Sequence, residues 1–143
     1  MKIIKNIDQG SQEWLNLRLG KITASNFDKI ITSTGKPSAS AKEYMEELAG
    51  ELLMDKAEEG FKSEAMIRGN ELEEEARQAY EENKLCKVEE VTIIDCNKWA
   101  YSPDGLIGDD GLIEIKCPLA KTHSKYIINN KLPSKYKAQV QGG

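Results

Sequence analysis

The hydrophobic pattern of the chain changes its period partway along the sequence, and this change constrains the fold more than any other feature. Before it, apolar residues recur at helical spacing, as in Tyr44, Leu48 and Leu52. After it, residues 88–94 are rich in β-branched side chains, which is typical of a strand. Helices, then a short β-meander, then further helices predict an α+β domain with a central mixed sheet flanked by helices.

Capping and turn signals divide this pattern into elements. The helical part, residues 1–83, is predicted to contain a helix capped by Ser11 and stopped by Gly20, a second opening with a capping box at Ser25, a third from Ser40 to about Gly60, and a fourth over residues 63–82. Residues 84–143 are predicted to contain strands at 88–94, 98–102 and 112–117, then helices around 124–128 and 134–141. We expect these parts to form one domain.

The composition indicates a folded cytosolic protein with uneven charge. The 143 residues carry a net charge of -4, but residues 41–90 carry -9 and residues 112–143 carry +5. This asymmetry allows a local basic surface for nucleic acid on an acidic chain. The three cysteines include no CxxC pair, so neither a disulfide framework nor a zinc site is indicated. No signal peptide or membrane span is predicted.

The chemically informative segment is a turn followed by a strand. Pro103-Asp104-Gly105 is a turn signal, and alternation over residues 112–117 places Glu114 and Lys116 on one strand face. If the two segments pair, the carboxylates of Asp104 and Glu114 converge on one hard cation, with the backbone carbonyl of Ile115 as a third ligand. Without a cation, the like charges should raise the pKa of at least one carboxyl group.

Such a group has the parts that phosphodiester hydrolysis needs. One or two Mg²⁺ ions (or Mn²⁺) neutralise charge on the phosphorus centre, and Lys116 would orient or deprotonate an attacking water. Taken by itself, the pattern also fits an ordinary turn and an exposed strand. The residues alone therefore leave both interpretations open.

Two motifs resemble the signature of the lambda exonuclease / YqaJ viral recombinase family, within the restriction-endonuclease-like PD-(D/E)xK nucleases. They are Ser102-Pro103-Asp104-Gly105-Leu106 and Glu114-Ile115-Lys116-Cys117-Pro118. Three more blocks agree in order and approximate spacing, namely Trp14 with residues 17–25, residues 69–77 and residues 136–141. The resemblance covers nearly the whole chain. It implies a restriction-endonuclease-like core, and because members continue with further strands and a helix, we expect the sheet to lack its closing strands.

The resemblance also implies residue roles. Asp104, Glu114 and the Ile115 carbonyl match the metal ligands, and Lys116 matches the catalytic lysine. Glu73 matches a supporting acidic residue on a helix, selected over Glu71 and Glu74 by family spacing alone, and Gln139 matches a glutamine near the metal site. Arg18, Ser25 and Ser102 match a pocket for the 5′-phosphate of a DNA end, although Ser25 also fits a helix cap. One departure is Arg68, where an aromatic residue is expected before Gly69.

The function implied is a Mg²⁺-dependent exonuclease of phage or prophage origin, acting in the bacterial cytoplasm. It would digest one strand of linear double-stranded DNA from 5′ to 3′, leaving 3′ single strands for recombination. The implied partners are DNA ends, a single-strand annealing protein and copies of itself in a homotrimer. Two alternatives remain: a DNA-end-binding or assembly protein that does not cleave, and a PD-(D/E)xK nuclease of other polarity. An iron–sulfur nuclease is disfavoured by the scattered cysteines.

Overall fold

The computed structural model describes residues 1–57 and 63–142. The α-helices there are α1 (Gln12–Arg18), α2 (Ala41–Met54), α3 (Glu64–Glu71), α4 (Glu73–Lys84), α5 (Ala120–Asn129) and α6 (Ser134–Gly142), with a 3₁₀ helix at Ala24–Lys29. The strands are β1 (Lys2–Ile4), β2 (Ile22–Thr23), β3 (Ile93–Asp95), β4 (Trp99–Tyr101), β5 (Gly105–Ile107) and β6 (Gly111–Ile113). None of the helices in this described part is long and apolar enough to cross a membrane.

Four strands form a mixed sheet in the order β1-β3-β4-β2. β3 runs antiparallel to both β1 and β4, whereas β2 runs parallel to β4. β5 and β6 form a separate antiparallel hairpin, with a turn at residues 108–110 where the Asp109-Asp110-Gly111 signal predicts one. The expected α+β class with a mixed sheet and helices is therefore confirmed.

The chain divides into two compact units, and each takes segments from both parts of the sequence. Unit 1 contains Met1–Glu59, Val91–Ser102 and Pro133–Gly143, and it holds the four-stranded sheet with α1, α2 and α6. Unit 2 contains Gly60–Glu90 and Pro103–Leu132, and it holds the β5–β6 hairpin with α3, α4 and α5. That they belong to one domain stays a prediction.

Most of the buried apolar side chains lie in unit 1. Ile93 on the sheet is fully buried, and Tyr44 and Leu48 are buried on one face of α2, as the helical spacing predicts. The hydroxyl of Tyr44 accepts a hydrogen bond from the Thr23 amide at 3.3 Å, which ties α2 to the start of the 3₁₀ helix. Leu52 is 60% exposed, so the apolar face of α2 ends one turn earlier than predicted.

Side-chain hydrogen bonds explain where one of the first two predicted helices differs from the structure. Ser11 caps α1 as predicted, but the segment opening at Ser25 is a 3₁₀ helix that begins at Ala24. There the Asn26 amide donates to the hydroxyl of Thr23 at 3.0 Å, and such local bonds compete with α-helix formation. Ser25 therefore lies inside the first turn and does not cap the helix, which corrects the capping interpretation.

Two predicted helices and one predicted strand have different bounds in the structure. The helix predicted over residues 63–82 is divided at Leu72 into α3 and α4, with Leu72 as the C-cap of α3 and the N-cap of α4. α2 ends at Met54, and Gly60, where its end was predicted, lies outside the described residues. The strand predicted over residues 112–117 ends at Ile113, so Glu114 and Lys116 lie beyond β6.

Gly105 lets β5 lie close to the chain segment before β3. A Cβ atom at this position would be 2.1 Å from Cγ1 of Val88 and 3.3 Å from the carbonyl oxygen of Glu89. The backbones of Glu89 and Leu106 exchange two hydrogen bonds of 2.8 Å there. Because Asp104 directly precedes Gly105, this close approach also places the turn that carries Asp104.

Gly105→Ala should therefore lower the free energy of unfolding by about 1–3 kcal/mol, as overpacking does elsewhere. Adding Val88→Ala should cost less in the Gly105→Ala background than in the unmodified chain, because it removes the clashing methyl group. The control is Gly50→Ala in α2, where a new Cβ meets no atom within 4 Å. The free energy of unfolding of the Gly50→Ala variant should rise by up to about 1 kcal/mol, because alanine favours the helix over glycine. Urea unfolding measures all three effects, and equal costs of Val88→Ala in both backgrounds would contradict the close approach.

Candidate active site

Three polar groups of Asp104 are hydrogen-bonded within unit 2. Its amide donates to the carbonyl of Ile113 at 3.1 Å, and its carboxylate accepts a hydrogen bond from the amide of Ile115. Its own carbonyl accepts from Nη1 of Arg77 at 3.2 Å. The amide of Ile115 thus bonds a side chain rather than a neighbouring strand, and β6 ends two residues earlier, at Ile113.

The environment of the Asp104 carboxyl raises its pKa to about 7. Burial is the largest cause, and it is partly opposed by the hydrogen bond from Ile115. The charges of Glu114 and Glu73 raise the pKa further, while Lys116 lowers it. A raised carboxyl pKa is what the sequence predicts, but burial contributes more than the predicted repulsion between like charges.

Glu114 and Lys116 form an ion pair directly after β6. Nζ of Lys116 donates to Oε1 of Glu114, whose side chain is 9% exposed, compared with 37% for Lys116. The pair is made by residues two apart on an extended segment, as the predicted alternation requires, even though the segment is not part of a strand. Both charges act on Asp104, so these three residues form one electrostatic group.

Glu73 joins this group from α4. It lies on the half-buried face of the helix, whereas Glu71 and Glu74 are exposed. Burial raises the pKa of Glu73, and the charges that act on it include Lys116 and Glu114. The selection of Glu73 by family spacing is therefore consistent with its position, while its supporting role stays a prediction.

Two arginines contact the backbone of this group or of the residue that follows Lys116, and no role was predicted for either from the sequence. Arg77 bonds the carbonyl of Asp104, and Nη1 of Arg68 donates to the carbonyl of Cys117 at 3.3 Å. Arg77 is four residues after Glu73, so both lie on one face of α4. That spacing is the signal in the sequence that could have found Arg77.

A second group of predicted residues lies in unit 1, around Trp14 of α1. The guanidinium of Arg18 stacks 4.0 Å from the centre of the Trp14 ring, and the indole Nε1 donates to Oγ of Ser102 at 3.2 Å. Burial lowers the pKa of Arg18, while Tyr44 and Glu51 raise it. One indole ring therefore orients two of the three residues that the resemblance assigns to the phosphate pocket.

The sheet brings the third residue, Ser25, towards Ser102. β2 and β4 are parallel, with Thr23 opposite Ala100 in the register. Ser25 comes two residues after Thr23, and Ser102 comes two residues after Ala100. Both serines therefore lie beyond the carboxyl ends of these two strands. The hydroxyl of Ser25 lies 3.3 Å from that of Thr23. The two-residue strand β2, which was not predicted from the sequence, thus places both serines just after the carboxyl ends of neighbouring parallel strands.

Gln139 is half-buried on α6 of unit 1. α6 packs against the 3₁₀ helix, where a Cβ at Gly142 would be 2.6 Å from the ring of Phe27. The proposed role of Gln139 near a metal stays a prediction.

The profile of the YqaJ-like viral recombinase domain matches residues 13–143 of the chain. The chain belongs to this family. The resemblance of its motifs to the lambda exonuclease / YqaJ group is thereby confirmed. No curated protein matches the chain.

The recombinase domain also matches solved structures. The crystal structure of an alkaline exonuclease (LHK-Exo) from Laribacter hongkongensis has 41% sequence identity and a TM-score of 0.78, over 90% of this chain and 64% of that one. The structure of LHK-Exo in complex with dAMP gives the same identity and TM-score, over 92% and 66% of the two chains. This member of the recombinase family thus spans about two thirds of the length of the enzyme it resembles.

The ligand atoms that this group offers are of the type that binds a hard divalent cation. Asp104, Glu114 and Glu73 offer carboxylate oxygens, and Ile115 offers a carbonyl, which are the ligand types that Mg²⁺ and Mn²⁺ prefer. Within residues 1–57 and 63–142, however, no three His, Cys, Asp or Glu side chains are close enough to hold a metal ion. The carboxylates of Asp104 and Glu114 are instead turned to Ile115 and Lys116. The donor chemistry fits, and side-chain rearrangement would be needed to close the group around an ion.

The raised pKa of Asp104 predicts how stability depends on pH without metal. The folded chain keeps a proton on Asp104 up to about pH 7, whereas the unfolded chain releases it near pH 4. The free energy of unfolding should therefore fall as the pH rises between these values. Asp104→Asn cannot ionise and still offers an oxygen to Ile115, so it should match the unmodified chain near pH 4 and be more stable at pH 8.

Thermal unfolding in EDTA across this pH range measures the difference. Asp110→Asn, in the exposed turn of the same hairpin, is the matched control and should show no such trend. A stability gap for Asp104→Asn that is the same at pH 4 and pH 8 would contradict the raised pKa.

Proposed function

We propose that this chain is the nuclease part of a metal-dependent exonuclease that hydrolyses linear double-stranded DNA. The observation that carries the proposal is the group formed by Glu73, Asp104, Glu114 and Lys116 in a chain of the YqaJ-like family. Three acids and one lysine within mutual electrostatic range are the residue types that phosphodiester hydrolysis requires. The 41% identity with an alkaline exonuclease supports the same activity.

Each residue of the group has a proposed task. Asp104, Glu114 and the Ile115 carbonyl hold one or two Mg²⁺ ions, for which Mn²⁺ substitutes, while Glu73 supports the site and Gln139 assists. The chemistry that the cation supplies when bound is positive charge, which favours attack by water and stabilises the phosphorane. Lys116 Nζ is bonded to Glu114 in this structure. We propose that its neutral amine form, with a cation bound at the carboxylates, would hold the attacking water and accept its proton.

The residues around Trp14 are the basis for the proposed polarity of digestion. Arg18, Ser25 and Ser102 are proposed to bind the 5′-phosphate of the DNA end, since a guanidinium forms paired bonds to phosphate and hydroxyls add donors. Digestion would then run from 5′ to 3′ and leave 3′ single strands. The relative's complex with dAMP supports a site that accommodates a nucleoside monophosphate.

The wider biology is proposed from the family alone. A recombinase of phage or prophage type would act in the bacterial cytoplasm, pass its 3′ strands to a single-strand annealing protein, and assemble as a homotrimer. The chain spans 64% of the relative's length, so these properties are proposed and not carried over from the relative.

The first test is digestion of linear duplex DNA with Mg²⁺, and with EDTA as the blank. Lys116→Ala should abolish cleavage while DNA binding survives, because the lysine acts in the chemical step. Lys116→Arg should not restore cleavage, since guanidinium is a poor base and differs in shape. Lys87→Ala, at an exposed lysine of unit 2, is the matched control and should cleave normally. Near-normal turnover by Lys116→Arg would show that charge alone suffices and would remove the proposed base.

The second test compares duplexes with 5′-phosphate and 5′-hydroxyl ends. The unmodified chain should prefer the phosphorylated end by about 10- to 100-fold, the usual effect of one charge-assisted contact. Arg18→Ala should erase most of this preference and leave metal binding unchanged, whereas Arg18→Lys should keep part of it because the charge remains without the fork. Equal rates on both ends with the unmodified chain would exclude a phosphate-binding role for Arg18.

An end-binding protein that does not cleave is the second candidate. The absence of a three-ligand cluster among the described residues favours it. The digestion assay separates the two, because an end-binding protein retains duplex ends in a binding assay and leaves the DNA intact with either Mg²⁺ or Mn²⁺.

A further inference from the structure

The guanidinium of Arg77 contacts three segments of unit 2. Its side chain is 12% exposed, and Nη1 donates to the carbonyl of Asp104 at 3.2 Å. Nη2 pairs with Glu74 on its own helix and with Glu90 at 3.3 Å. A guanidinium is planar, and its N–H donors point in fixed directions. The two acids that pair with Nη2 therefore limit how far Nη1 can move from the carbonyl of Asp104.

We infer that Arg77 is a positioning residue that holds the backbone of Asp104 beside Glu73. The inference rests on the proposed function, because it concerns the same group of carboxylates. Arg77 does not touch the reacting atoms in this assignment. It acts through the Asp104 carbonyl, and its effect on chemistry is to fix where the Asp104 carboxylate points.

The hydrogen bonds of Asp104 show why this contact matters. Its amide and its carboxylate are bonded to Ile113 and Ile115, which lie in β6 and directly after it. These two bonds are local and do not fix the position of Asp104 relative to α4. The bond from Arg77 is made by α4, the helix that also carries Glu73. Arg77 and Glu73 are four residues apart on one face of that helix. Arg77 therefore connects two carboxylates that belong to different elements.

Unit 2 has few other means of fixing this arrangement. In its described part, the buried apolar side chains are Val88 and Pro103. Apolar packing fixes positions by shape over many contacts, and where little of it is present, directional polar contacts must supply the precision. Arg77 supplies such a contact at the residue where precision is needed.

A different role would be local stabilisation of α4. Arg77 and Glu74 form an i,i+3 pair of the kind that strengthens any helix. In that case the contact with Asp104 would be incidental, and removing Glu74 should have the same consequences as removing Arg77. Glu74→Gln is therefore the matched control, because it removes the charge of the helix pair and leaves both the pairing of Arg77 with Glu90 and its donor to Asp104 in place.

The experiment measures Mn²⁺ affinity by calorimetry on the full 143-residue chain, unmodified and as Arg77→Lys, Arg77→Ala and Glu74→Gln. Residues that hold a metal ligand in place usually contribute about 10- to 100-fold to metal affinity. We expect a loss in this range for both Arg77 variants, smaller for Arg77→Lys, and less than a twofold change for Glu74→Gln. Thermal unfolding confirms that each variant is folded at the assay temperature. Equal affinity in all four proteins, or an equal loss in Glu74→Gln, would overturn the assignment.

A second measurement needs no metal. The amide of Ile115, which donates to the Asp104 carboxylate, should exchange its hydrogen about tenfold or more faster in Arg77→Lys and at the unmodified rate in Glu74→Gln. If the unmodified chain binds no Mn²⁺, the proposed function fails, and this exchange alone decides the role of Arg77. Unchanged exchange in Arg77→Lys would then show that Arg77 does not hold Asp104.

Discussion

Asp104 is the residue on which the arrangement of unit 2 depends. Its amide, carbonyl and carboxylate are bonded to Ile113, Arg77 and Ile115 respectively. The bond to Ile115 lies just beyond the end of β6 at Ile113, in the segment that also carries Glu114 and Lys116. The hydrogen bonds of Asp104 therefore connect the hairpin, this segment and α4.

The same carboxylate is held in an environment that disfavours its charge. Burial and two neighbouring acids raise the pKa of Asp104 to about 7, which means that its ionised form destabilises the metal-free chain. Such tension between stability and activity is what the proposed metal site would require, since carboxylates that bind a cation repel one another without it. A bound divalent cation would remove the repulsion, so binding and folding should reinforce each other.

Unit 1 positions the residues that are proposed to bind phosphate by a different physical means. Its sheet and buried apolar core fix the parallel pairing of β2 with β4, and the two serines follow from the ends of these strands. Trp14 then orients Arg18 by stacking and Ser102 by a hydrogen bond. Backbone register and an aromatic ring do in unit 1 what side-chain bonds to the backbone do in unit 2.

The sequence by itself determined the α+β class, the β5–β6 turn and the family, because these depend on local periodicity, turn residues and motifs. It also indicated Asp104, Glu114 and Lys116 from their spacing. It could not locate β2, because two residues carry no periodicity and the strand exists only through its pairing with β4. Nor could it show that Arg77 reaches Asp104, 27 residues further along the chain. Contacts between residues so distant in sequence have no local signature, and only the tertiary structure decides them.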